Sequence, residues 1–418
     1  MWSAGKRGLA ALLLVALAAF FIFAPGIVER QRNVIDGEPL PAISAEAQAL
    51  HDTLLIVDLH GDTLLWDRDL NARAERGHMD LPRLQDGNVA LQVFSSVTKT
   101  PRGQNYDGNS GDTDNITLLA IGQLQPVRTW TSLLERTLYH GEKLREAVDA
   151  SDGALVMVAP GRALDALVSD AQQMRPDTVF AMLSVEGLHN LEGDLANLVV
   201  LHEAGVGMAG LTHFFDNELA GSMHGIERGG LTAMGRDAVI RMEELGIIVD
   251  IAHCSEACVA EILAMARRPV VSSHGGVQAT CDINRNLSDE QIRGVAATGG
   301  VIGIGYWPGA VCDTSPAAIV RAMRHVRDLV GPEYVALGSD FDGNVTARFD
   351  TSQLVQVTQA LMDDGWKEAD IRKVMGENAL RVLSDGIRPI GAYQPRPDGT
   401  EEIILGPMPP TLPGPGDR

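Results

Sequence analysis

The chain is poor in basic residues: 34 Lys and Arg stand against 55 Asp and Glu, a formal net charge of −21. No stretch resembles a basic patch that could neutralise phosphates, which argues against nucleic acid as a partner. Acidity on this scale signals solubility and says little about fold. The chain also lacks a Gly-rich phosphate loop, a Gly-x-Ser-x-Gly elbow and a dinucleotide fingerprint after a strand. Three common enzyme classes therefore have no foothold in it. No internal repeat is found. What it has is apolar mass, 45% of 418 residues, ample for a large core. That length allows two or three domains, although an α/β barrel often takes about 250 residues or more as one.

Residues 9–23 are uninterrupted apolar residues, preceded by Lys6 and Arg7. Taken over 8–28 the stretch is roughly 20 residues, about 30 Å as a helix, enough to cross a bilayer. A cleavable signal peptide is the competing reading. The bulky Phe21, Ile22 and Phe23 before Ala24 fit its small-residue cleavage pattern poorly, so an uncleaved anchor is expected. Basic residues ahead of the span place the rest of the chain outside the cytoplasm, periplasmic or at the cell surface. The expected organisation is a membrane segment over 1–28, a polar linker over 29–43, a barrel domain over 44–386 and a Pro/Gly-rich tail over 387–418, extended or disordered.

From Ser44, a plausible N-cap, short apolar runs alternate with longer amphipathic ones, the pattern of βα units on a parallel sheet. Eight strands are expected, over 54–59, 89–95, 179–185, 207–212, 247–252, 270–273, 301–306 and 335–339. Helices are expected between them, among them 116–150, 195–203, 234–245, 256–266, 289–296, 317–329 and 351–362. The Gly-, Asn- and Asp-rich stretch 98–115 reads as a long loop over one end. Eight units imply a (β/α)8 TIM-like barrel with its site at the strands' C-terminal ends; a doubly wound sheet is the fallback.

The strand ends carry the chemistry. The first runs Ile56-Val57-Asp58-Leu59-His60-Gly61-Asp62-Thr63, and side chains two apart on an extended backbone share a side. His60 and Asp62 thus offer an imidazole and a carboxylate to a cation such as zinc. Later strands end in Glu186, His213, His253, His274 and Asp340. Scattered core histidines would not collect at one barrel face. His60, Asp62, Glu186, His253 and His274 suffice for two metal ions with a bridging glutamate, and metal-assisted hydrolysis is the reaction class left.

The chain resembles the renal or membrane dipeptidase family of metal-dependent hydrolases. The likeness rests on Ile56 to Thr63, Met79-Asp80-Leu81-Pro82-Arg83-Leu84-Gln85-Asp86-Gly87, Val185-Glu186-Gly187, Gly210-Leu211-Thr212-His213 and Gly229-Gly230-Leu231-Thr232. It continues through residues 246–255, 270–276, Asn284-Arg285-Asn286 and 338–343, so it spans about 52–383. The resemblance implies a binuclear zinc dipeptidase with His60 and Asp62 on one zinc, His253 and His274 on the other, and Glu186 on both. A metal-bridging hydroxide would attack the peptide carbonyl. It further implies that Asp340 shuttles the proton, His213 steadies the substrate carbonyl and Arg285 holds the terminal carboxylate of a dipeptide. Cys281 and Cys312 follow neighbouring strands, and the family also implies a disulfide there; Cys254 and Cys258 are expected reduced. Gly61 and Gly207 stand where the family often has Asn and Arg, which bears on the pocket's surroundings and not on the ligands.

The blander readings are a turn role for Asp340, which falls better to Asp342 before Gly343, and a surface ion pair for Arg285 with Asp282 or Asp289. Asp250 reads as structural support. His189 reads as support near Glu186, and His51, His78, His140, His202, His224 and His325 lack the strand-end setting. Tyr306 and Trp307 line the pocket or simply pack. Rival functions are hydrolysis of another amide, lactam or lactone on the same metals, or a membrane-tethered binding protein with a dead site. A homodimer is one assembly the sequence allows, and the sequence does not fix the oligomeric state.

Overall fold

The apolar run that opens at Ile56 is buried at all its positions through Gly61. A strand like that needs cover on both faces, which a parallel sheet wrapped in helices supplies. In this computed structural model, which describes residues 4–158, 164, 177–390, 392–395 and 401–404, that strand is β1 (Ile56–Gly61) of a closed barrel. The others are β2 (Val89–Val97), β3 (Val179–Glu186), β4 (Val206–Gly210), β5 (Ile248–Asp250), β6 (Val271–Ser272), β7 (Val301–Ile304) and β8 (Val335–Leu337). Each pairs in parallel with the next, and β8 returns to β1 through Leu337 and Asp58. The TIM-like barrel is therefore observed. A short extra strand, Leu155–Met157, pairs with the foot of β3.

Every strand contributes to one apolar cluster that includes Val57, Leu91, Met182, Met208, Ile248, Val271, Val301 and Ala336. It fills the lumen, and helix Asn378–Gly386 closes the foot with Leu380 and Leu383. A larger cluster lies between the strands and the surrounding helices. With the foot covered, the strands' C-terminal ends form the mouth of the barrel, where such barrels carry their sites.

Several elements differ from expectation. The single helix over 116–150 is three pieces, Ile116–Gly122, a 3-10 turn Val127–Trp130 and Leu133–Ala150. Leu124 adopts a left-handed φ of 55° and Pro126 has no N–H to give, so the α-helix cannot run through them. The helix expected over 351–362 begins as a 3-10 turn, Thr351–Gln353, on the Asp350 cap and continues as Val355–Asp363.

At the N-terminus, Ala4–Arg32 is one helix. An 18-residue window within its stretch Leu12–Arg32 has mean hydropathy 2.4, and the helix is long and apolar enough to cross a membrane. Its last turns touch the barrel: Pro25 and Glu29 are buried, and Glu29 pairs with Arg68 at 2.6 Å and Arg76 at 2.5 Å. Next, Val34–Ile35 pairs in parallel with Thr346–Ala347, beyond β8. Of the tail, Ala392–Pro395 and Glu401–Ile404 pair antiparallel, and residues 391, 396–400 and 405–418 lie outside the described residues.

Candidate metal centre

The residues at the strand ends meet at one point above the lumen. His60 and Asp62 leave β1 across a bulge between Asp58 and Gly61. Glu186 ends β3, His213 follows β4, His253 follows β5, His274 follows β6 and Asp340 follows β8. His253 and Asp340 hold left-handed φ values of 66° and 59°, a region uncommon for side-chain-bearing residues though less so for His and Asp. Gly343 gives the carboxylates room: a Cβ there would lie 2.0 Å from Asp340 Oδ1 and 2.8 Å from Asp62 Oδ2.

Glu186 is the centre. Its Oε1 lies 2.7 Å from His253 Nε2, 3.2 Å from His274 Nε2 and 3.7 Å from His60 Nε2, while its Oε2 lies 3.3 Å from His213 Nε2. His60 Nε2 is also 3.6 Å from Asp62 and 3.9 Å from Asp340. These side chains form three overlapping groups whose ligand atoms lie within 4.8 Å: His60, Asp62 and Glu186; Glu186, His213 and His253; and His60, His274 and Asp340.

The electrostatics show what such a cluster lacks. Burial drives the carboxyls of Glu186 and Asp340 well above the usual range and the imidazoles of His253 and His274 well below theirs. Burial also lowers His213, to about 3. It opposes charge on His60 as well, but Asp62 and Glu186 outweigh it and lift that imidazole to about 10. Both ring nitrogens of His60, Asp62 Oδ1 and His253 Nδ1 are buried without a hydrogen-bond partner, a costly state. Imidazole nitrogens and carboxylate oxygens aimed at common points are the donors a zinc-class cation accepts. The residues fit a metal, with Glu186 common to two groups.

Two aspartates hold the ligands in place. Asp250 accepts from the Ser273 amide at 2.9 Å and from its hydroxyl at 2.5 Å. That hydroxyl lies 2.8 Å from His274 Nδ1. Since the hydroxyl proton goes to Asp250, His274 donates from Nδ1 and keeps a lone pair on Nε2, facing the centre. Asp58 does the like on β1, accepting from the amides of His60 at 3.0 Å and Ser339 at 3.1 Å. Asp250 is thus support, as its sequence setting implied; Asp58 and Ser273 gave no sign beyond lying beside the ligands.

Arg285 is buried and donates from Nη2 to the His274 carbonyl at 3.1 Å, with its guanidinium 5.6 Å from the Trp307 ring. Trp307 lines the mouth, and its Nε1 donates to Tyr106 Oη at 3.0 Å. Gly309 permits that clasp, since a Cβ there would lie 2.2 Å from the Tyr106 oxygen. Tyr306 instead packs against Phe341 and Phe349. Tyr106 arrives on the loop 98–115, and only its aromatic character among small polar residues marks it. His224 also comes close, its ring 5.2 Å from Tyr106 and 5.4 Å from His253. His189 bonds Thr98 at 2.9 Å. Cys281 and Cys312 are joined by a disulfide, and Cys254 and Cys258 are free and buried.

Residues 44–387 match the sequence profile described as "Membrane dipeptidase (Peptidase family M19)". Among curated relatives, the chain is 29% identical over 416 residues to the dipeptidase aclJ of Aspergillus oryzae, covering 92% of this chain and 90% of that one. It is 26% identical over 366 residues to Dipeptidase 3 of Mus musculus, covering 82% and 66%. Its fold is similar to the crystal structure of a metallo peptidase from Rhodobacter sphaeroides liganded with a phosphinate mimic of the dipeptide L-Ala-D-Ala. That match has a TM-score of 0.67 at 22% identity, over 80% of this chain and 99% of that one.

Proposed function

This chain belongs to the membrane dipeptidase family of metallopeptidases, and on that premise we propose that it hydrolyses dipeptides with two zinc ions at the barrel mouth. His60 and Asp62 would hold one, His253 and His274 the other, and Glu186 both. The observation that carries the reading is Glu186 Oε1, within 3.7 Å of His60 on one side and within 3.2 Å of both His253 and His274 on the other.

Zinc bound there supplies a water acidic enough to serve as nucleophile near neutral pH and a positive pole for the scissile carbonyl. The chain's own groups do the rest. Asp340, beside His60, would accept the attacking water's proton and deliver it to the leaving amine. His213 would steady the carbonyl oxygen. Its Nδ1 is 3.4 Å from the Lys99 carbonyl, long for a hydrogen bond, so the tautomer that donates from Nε2 is available. Arg285, buried against Trp307, would hold the substrate's terminal carboxylate through paired N–H donors.

We read residues 1–28 as a membrane segment, 29–43 as a connection, 44–386 as the catalytic barrel and 387–418 as a tail. Lys6 and Arg7 ahead of the apolar run support a barrel outside the cytoplasm, where the Cys281–Cys312 bond would persist. The test is metal analysis of purified protein beside a screen of L,L and L,D dipeptides. About two zinc ions per chain and dipeptide turnover that chelation abolishes are expected. Metal-free protein that cleaves dipeptides equally well would sink the reading.

A further inference from the structure

The loop after β8 carries Asp340 and takes an unusual path: Asp340, Asp342 and Asn344 all hold left-handed φ values, 59°, 65° and 64°. None is glycine, but Asp and Asn enter this region more readily than other side-chain-bearing residues, so neighbouring contacts select these conformations. Many of those contacts come from residues 29–36, which precede the 44–387 stretch matched by the family profile.

Two routes lead from that segment to Asp342. In the first, Glu29 Oε1 pairs with Arg68 Nε at 2.6 Å, and Arg68 Nη2 pairs in turn with the Asp342 carboxylate. Glu29 and Asp342 are both buried, so these charges are shielded from solvent and salt. In the second, the Asp342 amide donates to His78 Nδ1 at 3.1 Å. That fixes the proton on Nε2, which lies 3.2 Å from the Val34 carbonyl. Direct bonds add to both. Asn33 Oδ1 accepts from the Asn344 amide at 3.0 Å, the Val34 amide donates to Val345 at 3.0 Å, and the Asp36 amide donates to Ala347 at 3.0 Å.

We propose that Glu29 is a positioning residue for Asp340, and that residues 29–36 form a brace holding the loop after β8 in its working conformation. The role assigned to Asp340 rests on the dipeptidase reading; the brace itself does not. It begins beyond the apolar run, so removing residues 1–28 would leave it in place.

The test uses full-length protein in detergent and two readouts: dipeptide kinetics on metal-loaded protein, and hydrogen–deuterium exchange of peptides spanning 338–348. Glu29→Ala should raise exchange in that loop and lower kcat by about 10-fold or more at equal metal content and similar KM, as misplacing a reacting group does. Asn33→Ala should do both more weakly, and Glu29→Asp should restore part of kcat. Arg30 pairs with Glu75 at 3.5 Å with both side chains exposed, so Arg30→Ala should match wild type. Unchanged loop exchange in Glu29→Ala overturns the brace whatever the activity. Raised exchange with unchanged kcat overturns the positioning role. If Glu29→Ala does not fold, Asn33→Ala and Glu29→Asp decide by the same two criteria. A wild-type protein without dipeptide turnover would defeat the dipeptidase reading, and exchange alone would then judge the brace.

Discussion

His253 Nε2 and His274 Nε2 face each other across 3.1 Å, with Glu186 Oε1 in contact with both. Two imidazole nitrogens that close either share one N–H or share a cation, and Glu186 beside them adds a third, anionic donor atom. Glu186→Gln keeps the shape and removes the charge, so the protein should lose metal from both sites. Metal analysis after dialysis checks this. Retention of two ions with full activity would show that Glu186 is not the bridge.

Asp340→Asn removes a proton acceptor at nearly constant shape. A loss of kcat on the order of 10²-fold or more is expected, the scale of general acid–base catalysis, with metal retained. Steady-state kinetics beside metal analysis decides, and near-normal kcat would move the proton role to another group.

Ser273→Ala cuts the relay from Asp250 to His274 without touching a ligand. Losses of this kind typically cost about 10–100-fold in metal affinity or activity. Competition with a chromogenic chelator measures it, and unaltered affinity would mean that packing alone orients His274.

Arg285→Ala should lower kcat/KM for dipeptides by roughly 1.5–3 kcal/mol, the worth of a hydrogen bond to a charged group. C-terminally amidated dipeptides should be penalised much less, because they never made the contact. Equal cleavage of free and amidated dipeptides by wild type would remove Arg285 from carboxylate recognition and favour a broader amide hydrolase.

Asp342 makes an acid-stability prediction. Burial works against its charge, but Arg68 beside it outweighs burial and holds the carboxyl far below the ordinary range. Its unfolded value is about 3.9. A depressed folded pKa contributes stability that is fully present above the unfolded value and fades as pH falls below it. Wild type should therefore lose melting temperature more steeply than Asp342→Asn below about pH 4. Parallel curves would show that the ion pair carries no net stability.

The barrel was legible because its strands are apolar runs that end in polar residues, and a parallel barrel puts all those ends together. His60, Asp62, Glu186, His253, His274 and Asp340 lie where that rule puts them. Local features that interrupt a pattern read less well: Leu124 and Pro126 divide a helix whose periodicity looks continuous on either side. Partners distant in sequence left no trace. Nothing near Glu29 points to Arg68 or Asp342, and nothing near Tyr106 points to Trp307. His78 lacks a strand-end setting, yet it links Val34 to Asp342. Such contacts depend on how loops pack, which periodicity does not encode.

The seam between β8 and β1 bears on how the protein matures. Ser339 bonds His60 across it, 279 residues apart in sequence. His60 therefore leaves the ribosome long before the strand that completes its surroundings. The proposed zinc donors come from four strands, β1, β3, β5 and β6, so they cannot assemble until most of the chain is made, and long-range pairing of this kind is slow to form. Metal uptake would then be a late event, and because binding free energy counts toward folding, an ion held there would stabilise the closed ring.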